Sequence, residues 1–490
     1  MRLKSTLFGL SLLALIYAQS GYALWAYPQH EEHQHKPSPQ PTNQATEDHE
    51  PMSVPEAKAG VWGSMDTRNA SGTSWQPKDT PEAMVHRMVG GWMLMLHGNA
   101  FLSVNRQGGL RGITKVDSSN WAMLMAEHAF GPGRLMARTM LTLEPWTIPH
   151  GGTPQLFQTG ETYRGRPIVD HQHPHNFIME LAAMYTLPLS EKTALQIYGG
   201  PVGEPALGPP AFMHRLSASE LPTVPLGHHL ADSTHISEGV ATLGLIYHWM
   251  KVEASAFNGH EPGEDRWGIH TSGLNSYAFR VSANPTDRWS MQVSAGHLRK
   301  PEASLPIVLG CGGGGPPPVL PPGVVFPHVC QSYAVIKRAV PSLIVLFSPG
   351  NVVRSTASIM YHRPLATGYW ATTLLWGRNR ETQAHRNSYL VESMLNFKRK
   401  NYASLRWELV DKHGLLGDPL PPELAFADRL HVGAYTFGFV RDVPLIHGLA
   451  TGIGGEVTFY SKPPLLDYFY GNSPVSFHVF LRLRPQRSEH

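Results

Sequence analysis

Pro474-Val475-Ser476-Phe477-His478-Val479-Phe480-Leu481-Arg482-Leu483 decides the fold, because its chemistry alternates with a period of two. Val475, Phe477, Val479, Leu481 and Leu483 fall on one side, and Ser476, His478 and Arg482 fall on the other. A strand sends successive side chains to opposite faces, so this is a strand with one apolar and one polar face. Tyr402 to Val410 repeats the pattern, with Ala403, Leu405, Trp407 and Leu409 opposing Ser404, Arg406 and Glu408. In Trp92 to Asn105 the apolar side is Trp92, Leu94, Leu96, Ala100, Leu102 and Val104. The other side is Met93, Met95, His97, Asn99, Ser103 and Asn105.

Similar alternation runs through Leu135 to Leu143, Val252 to Asn258, Trp289 to His297 and Gly448 to Tyr460, and the whole chain carries roughly fourteen to sixteen such segments, most about ten residues long, the length of a tilted membrane strand. No run of about eighteen apolar residues exists, which excludes helical spans. Lipid cannot hydrogen-bond open backbone, so a spanning sheet must close on itself. A soluble sandwich or propeller shows the same alternation. Charged residues on the polar faces, together with an export signal, favour the membrane. The expected fold is all-β: a transmembrane antiparallel β-barrel of roughly 14–16 strands with long His-rich loops, set in a Gram-negative outer membrane.

The export signal is at the N-terminus. Arg2 and Lys4 precede an apolar stretch from Leu7 to Ala18, and Gly21-Tyr22-Ala23 resembles a small-x-small cleavage site. Residues 1–23 are therefore expected to be a cleaved signal peptide. Residues 24–88 carry His30-Glu31-Glu32-His33-Gln34-His35 followed by Pro, Gln, Thr and Asn. They are expected to be a disordered, His-rich periplasmic segment of metal-binding composition. Residues 89–485 would form the barrel, with loops at 145–173, 200–238 and 301–335. The formal charge of +3 over 490 residues carries no long basic run and gives no footprint for nucleic acid. The two cysteines, Cys311 and Cys330, flank a Gly/Pro-rich stretch, and in an oxidising compartment a loop-closing disulfide is expected.

The 27 histidines stand out. In Glu161-Thr-Tyr163-Arg164-Gly-Arg166-Pro-Ile-Val-Asp170-His171-Gln172-His173-Pro174-His175, alternate spacing would place His171, His173 and His175 on one side of an extended segment. Imidazoles so arranged suit zinc or copper, with Asp170 orienting a ligand and Glu161 and Arg164 close by. A second group comprises Glu204, His214 and the stretch His228-His-Leu-Ala-Asp232-Ser-Thr-His235. If that stretch is helical, His228, Asp232 and His235 share a face. A third group is Met93, Met95 and His97 on one strand, with Trp121, Met123 and Met125 on the next and Met136, Arg138, Met140 and Glu144 on the one after. Paired strands would align their thioethers, which select Cu(I). Each group has a plainer alternative: loop-pinning polar clusters for the first two, and gap-filling methionine for the third. Asn258-Gly259-His260-Glu261-Pro262 reads as turn chemistry.

The blocks Gly72-Thr-Ser-Trp75-Gln76-Pro77, Gly160 to His175, Val202-Gly-Glu204-Pro-Ala-Leu-Gly208 and Ser255-Ala-Phe-Asn258-Gly resemble a largely uncharacterised family of bacterial outer-membrane-type proteins. That resemblance implies export and a β-rich fold. In layout, a His-containing exported segment before a barrel with Met/His patches is similar to the copper-resistance outer-membrane protein B family. The expected function is an outer-membrane barrel that binds or transports transition-metal ions, copper first, with copper or zinc as its ion. A structural or general diffusion channel is one alternative. A metal-dependent enzyme in the lumen is another, with Glu161, Glu180 or Glu204 as general base. Expected partners are outer-membrane lipid, metal ions and the barrel-assembly machinery.

Overall fold

The computed structural model describes residues 68–81, 83–149, 151–164, 166–270, 273–301, 305–309, 343–347, 350–381, 384–416 and 429–486. The strands in chain order are β1 (Met84–Val89), β2 (Trp92–Arg106), β3 (Thr114–Asp117), β4 (Asn120–Phe130), β5 (Gly133–Leu141), β6 (Thr153–Tyr163) and β7 (Arg166–Gln172). There follow β8 (Ile178–Pro188), β9 (Thr193–Gly203), β10 (Ser237–Tyr247), β11 (Met250–Phe257), β12 (Ser276–Thr286), β13 (Trp289–Leu298), β14 (Leu305–Leu309) and β15 (Leu343–Phe347). The last are β16 (Val352–Leu365), β17 (Gly368–Arg380), β18 (His385–Phe397), β19 (Asn401–Lys412), β20 (Leu430–Asp442), β21 (Leu449–Ser461) and β22 (Val475–Pro485). Three one-turn helices, α1 (Glu144–Thr147), α2 (His228–Ala231) and α3 (Asp467–Tyr470), lie in connections.

The main sheet holds eighteen strands, every pairing antiparallel, and it closes where β22 meets β2 through Ala100↔Leu483 to Arg106↔Phe477. Two of the eighteen add no stave. β1 pairs with the first half of β2 along the edge whose second half β22 occupies, and β3 does the same beside β4. The barrel thus has sixteen staves, within the expected range. Closure leaves no sheet edge for lipid to meet, which is the requirement for crossing a bilayer with strands. β6–β7 and β14–β15 are separate hairpins. Among the described residues no helix is long and apolar enough to cross a membrane.

Register shows why the alternation matters. Leu195, Leu245, Val252, Val281, Val293 and Ala357 are successive partners across six strands. This row is apolar and faces outward; Leu245, Val252 and Val293 are each about half exposed. One residue along, Gln196, Gly244, Glu253, Arg280, Ser294 and Thr356 form the inward row, and it is polar and buried. An outer apolar band around a polar interior is the reverse of a soluble barrel and the signature of one in lipid.

The two ends differ. At one end the connections are short, such as His248-Trp249 between β10 and β11 and Asp287-Arg288 between β12 and β13. There Trp289 packs on Tyr361 at 4.6 Å and Tyr361 on Trp370 at 5.7 Å, an interfacial aromatic row. The opposite end carries the long connections, as in outer-membrane barrels with short periplasmic turns and long outer loops.

Two boundaries differ from the sequence reading. The segment expected to be unstructured to residue 88 is in place from Arg68, with β1 beginning at Met84. Residues 68–81 enter the barrel at the short-turn end, where Arg68 donates to His248 O at 3.1 Å. Inward side chains then grip the backbone: Arg138 donates to Gly72 O at 2.6 Å, Asn284 to Gln76 O at 2.7 Å and Ser290 to Trp75 O at 3.0 Å. Secondly, the expected loop 145–173 contains the β6–β7 hairpin. Residues 1–67, Cys311 and Cys330 lie outside the described residues, as does most of 301–335.

Candidate functional site

The site is the inside of the barrel, occupied by three pieces of the chain: residues 68–81, the β6–β7 hairpin and the connection 204–236. The last touches the wall on many sides. Ala206 N donates to Ser255 Oγ at 2.7 Å, Gly208 N to Ser294 Oγ at 2.9 Å, and Ser217 Oγ meets Thr373 Oγ1 at 2.7 Å. Arg406 donates to Thr223 O at 2.7 Å, Lys412 to Leu226 O at 2.8 Å and Asn99 to Ser219 O at 2.8 Å. Glycines on the inner wall make room: a Cβ on Gly377 would overlap Leu230 O, and one on Gly438 would overlap the Leu221 side chain. Two cavities of about 40 and 30 Å³ lie among these pieces, space for a few waters each.

Charge is neutralised locally. Arg280 Nε lies 3.0 Å from Glu253 and Lys251 Nζ 3.2 Å from the same carboxylate. Arg482 pairs with Glu220 of the inner loop. Arg215, fully buried, holds the loop to the wall: it donates to Glu392 Oε1 on β18 at 2.7 Å and to Asp232 Oδ2 at 2.6 Å. Burial alone would raise the Asp232 carboxyl, but Arg215 and then His228 hold it well below the carboxylate range.

The expected trio His171, His173 and His175 is not formed. Pro174 ends the extended segment, and the rings diverge. His171 Nδ1 turns to its neighbour Val169 O at 3.1 Å, while His173 Nε2 meets Glu161 at 2.9 Å and His175 Nδ1 meets Glu144 at 2.7 Å. Asp170 orients no ligand: it takes Arg111 at 2.8 Å and the Phe157 amide at 2.8 Å. Arg164 is at the exposed hairpin tip, over the Tyr163 ring. Glu161 also pairs with Arg266; burial would raise its carboxyl, but His173 and Arg266 hold it far below. Positive φ at Phe157, Glu161 and Asp170 marks the hairpin as strained and held by its surroundings.

The second group does come together, and more widely than its spacing suggested. Asp232 accepts from His228 Nδ1 at 2.7 Å through its carboxylate and from His235 Nδ1 at 2.8 Å through its carbonyl. Ring centroids run His173–His229 5.4 Å, His229–His228 5.3 Å, His228–His235 5.1 Å, His235–His175 5.3 Å and His175–His173 6.3 Å, a closed circuit of five imidazoles. His229 was absent from the sequence candidates, and its place beside His228 was the available signal. Glu204 stands apart under Gly72, where burial pushes its carboxyl up to about 8 against the pull of Arg280.

The thioether alignment also forms. Met84↔His97, His97↔Met123 and Met123↔Met140 are direct cross-strand partners, and Met95 pairs with Met125. His97 Nε2 lies 3.0 Å from Met123 Sδ, and His214 packs on Trp121 at 4.7 Å and on His97 at 5.5 Å. Met93, Met95 and Met213 belong to the same cluster. Among the described residues no three His, Cys, Asp or Glu side chains are gathered about one metal-sized point.

No family model matches the chain, and no curated protein matches it. Among solved structures it is similar to OmpT of Vibrio cholerae at 7% identity and a TM-score of 0.43, covering 82% of this chain and 100% of that one. Salmonella typhi OmpF, solved with daunomycin, gives 8% and 0.43, covering 82% and 100%. Pseudomonas putida OprB gives 8% and 0.44, covering 81% and 94%. The fold itself follows from the closed pairing and the outer apolar band described above. The chain is an outer-membrane-type β-barrel.

Proposed function

We propose that the barrel is an outer-membrane channel for small hydrophilic solutes or ions, held closed in this state by its own inner segments. One observation carries the reading: the inward row followed across β9 to β16 is polar and buried, and the loop filling the lumen is hydrogen-bonded and ion-paired to the wall at many points, with one apolar contact patch at the methionines. A channel wall of this kind hydrates when the loop leaves; an apolar core would not. Planar-bilayer recording tests it. The wild-type protein is expected to be mostly silent with rare openings, and replacing residues 205–235 with a short Gly/Ser linker is expected to give sustained conductance. Silence of both proteins, with folding verified, would refute the channel.

A second reading, passage or sequestration of copper, is supported by the Met84–His97–Met123–Met140 row and His214. It expects Cu(I) or Ag(I) retention that falls in Met123→Leu/Met140→Leu; unchanged retention would end it. The enzymatic alternative has less support, because Glu161 and Glu180 are both engaged in ion pairs with arginine.

A further inference from the structure

Within the circuit of five imidazoles, His173 has both nitrogens engaged, Nδ1 with Pro174 O at 3.2 Å and Nε2 with Glu161 at 2.9 Å, and His229 Nδ1 lies 3.6 Å from Glu261; in the other three Nδ1 meets an acceptor at close range. His175 Nδ1 faces Glu144 Oε2 at 2.7 Å, His228 Nδ1 faces Asp232 Oδ1 at 2.7 Å and His235 Nδ1 faces Asp232 O at 2.8 Å. Ionised carboxylates and carbonyls only accept, so in all three rings Nδ1 carries the hydrogen. Both carboxylates accept a second time: Glu144 Oε2 takes the His175 amide at 2.8 Å and Asp232 Oδ2 takes Arg215 at 2.6 Å. In a neutral ring the other nitrogen, Nε2, is then a bare lone pair.

Two of those lone pairs want a partner, as does Nε2 of His229 in the same circuit. His175 Nε2 and His235 Nε2 are buried and accept no hydrogen bond. His235 stands between its two fellows, at 5.3 Å from His175 and 5.1 Å from His228. Imidazoles on a tetrahedral zinc, with Zn–N of about 2.0–2.1 Å, put neighbouring ring centroids about 5 Å apart. Phe212 faces all three rings and closes one side. A cavity of about 40 Å³, lined by His175, Glu144 and Phe212, adjoins the His175 ring.

We infer that His175, His228 and His235 form a three-imidazole site for a divalent transition-metal ion of the zinc class, with Glu144 and Asp232 as its orienting partners. Carboxylate and carbonyl acceptors behind ligating histidines are the usual means of fixing tautomer and ring direction. The nitrogens are not yet gathered at one point, so the rings turn inward as the ion arrives. The site does not depend on whether the barrel conducts. Its position, joining the β7–β8 connection to the inner loop, means that a bound ion would pin two lumen segments together.

The test uses the full-length protein, refolded in detergent, with Zn²⁺ for stoichiometry and Co²⁺ for spectroscopy. A background in which His30, His33 and His35 are replaced by Ala removes binding by the N-terminal histidines. One Zn²⁺ per chain is expected. His235→Ala is expected to lose at least 100-fold in affinity, Glu144→Gln 10- to 100-fold, and His171→Ala nothing. The Co²⁺ form is expected to show intense bands of a tetrahedral, nitrogen-rich site. If His235→Ala fails to fold, that spectrum still decides. No retained ion, binding indifferent to His235 and Glu144, or a weak octahedral Co²⁺ spectrum would overturn the proposal.

Discussion

Arg215→Met should release the inner loop without unfolding the barrel. Arg215 is fully buried and is shared by Glu392 on the wall and Asp232 in the loop, at 2.7 and 2.6 Å, with Pro210 O at 3.0 Å. Methionine keeps the volume and removes the charge. Asp232 then remains without its cation, and Glu392 keeps only Arg406, at 3.8 Å. Removing one partner of a buried pair costs about 3–5 kcal/mol. Water entering beside Glu392, or protonation of Asp232, offsets part of this, leaving about 3 kcal/mol against the docked loop. At about 1.4 kcal/mol per decade the loop should detach roughly 100-fold more often. The strand ladders on either side of β18 carry twelve and ten paired positions and involve only backbone, so they should not respond. Hydrogen–deuterium exchange in detergent reads this directly. Amides of 205–236 should exchange about 100-fold faster in the variant, and those of β17 to β19 at wild-type rates. Adding Glu392→Gln and Asp232→Asn should return part of the protection. Equal exchange of 205–236 in wild type and Arg215→Met would refute the claim that this ion cluster holds the loop.

Two further outcomes follow from the same structure. Glu204 titrates far above an ordinary carboxyl, at about 8, because it is buried. Its neutral form favours the folded state, so the contribution is full below about pH 4.5 and is lost as pH rises towards 8. Wild type should therefore lose stability relative to Glu204→Gln between pH 5 and pH 8.5, measured as the urea midpoint; parallel curves would contradict the burial. Val252 lies at the middle of the outward apolar row between Leu245 and Val281. Val252→Arg should cost about 2–4 kcal/mol on folding into vesicles if that row faces lipid, and near zero if it faces water.

The barrel was legible because its information is local: each strand states its own two faces, and a closed sheet repeats that statement sixteen times. His228, Asp232 and His235 were legible for a similar reason, since eight residues of sequence contain them. What escaped was non-local. Glu144 reaches His175 across 31 positions and Arg215 reaches Glu392 across 177, and no pattern in the sequence ties them. His171 was grouped with His173 and His175 by counting along an extended segment that Pro174 interrupts. Residues 68–81 looked like linker because they are polar, yet a polar lumen is where such a segment can be buried, with Arg138, Asn284 and Ser290 meeting its carbonyls.

The most direct test is accessibility along β22 in lipid vesicles, on a background lacking Cys311 and Cys330, with single cysteines from Val475 to Leu483 carrying a spin label. Val475, Phe477, Val479, Leu481 and Leu483 should collide with lipid-dissolved oxygen. Ser476, His478, Phe480 and Arg482 should be shielded both from oxygen and from a water-soluble relaxant, because they face an occupied lumen. Free access of the water-soluble relaxant to the even positions would contradict the closed lumen, and loss of the two-residue alternation would contradict the membrane barrel itself.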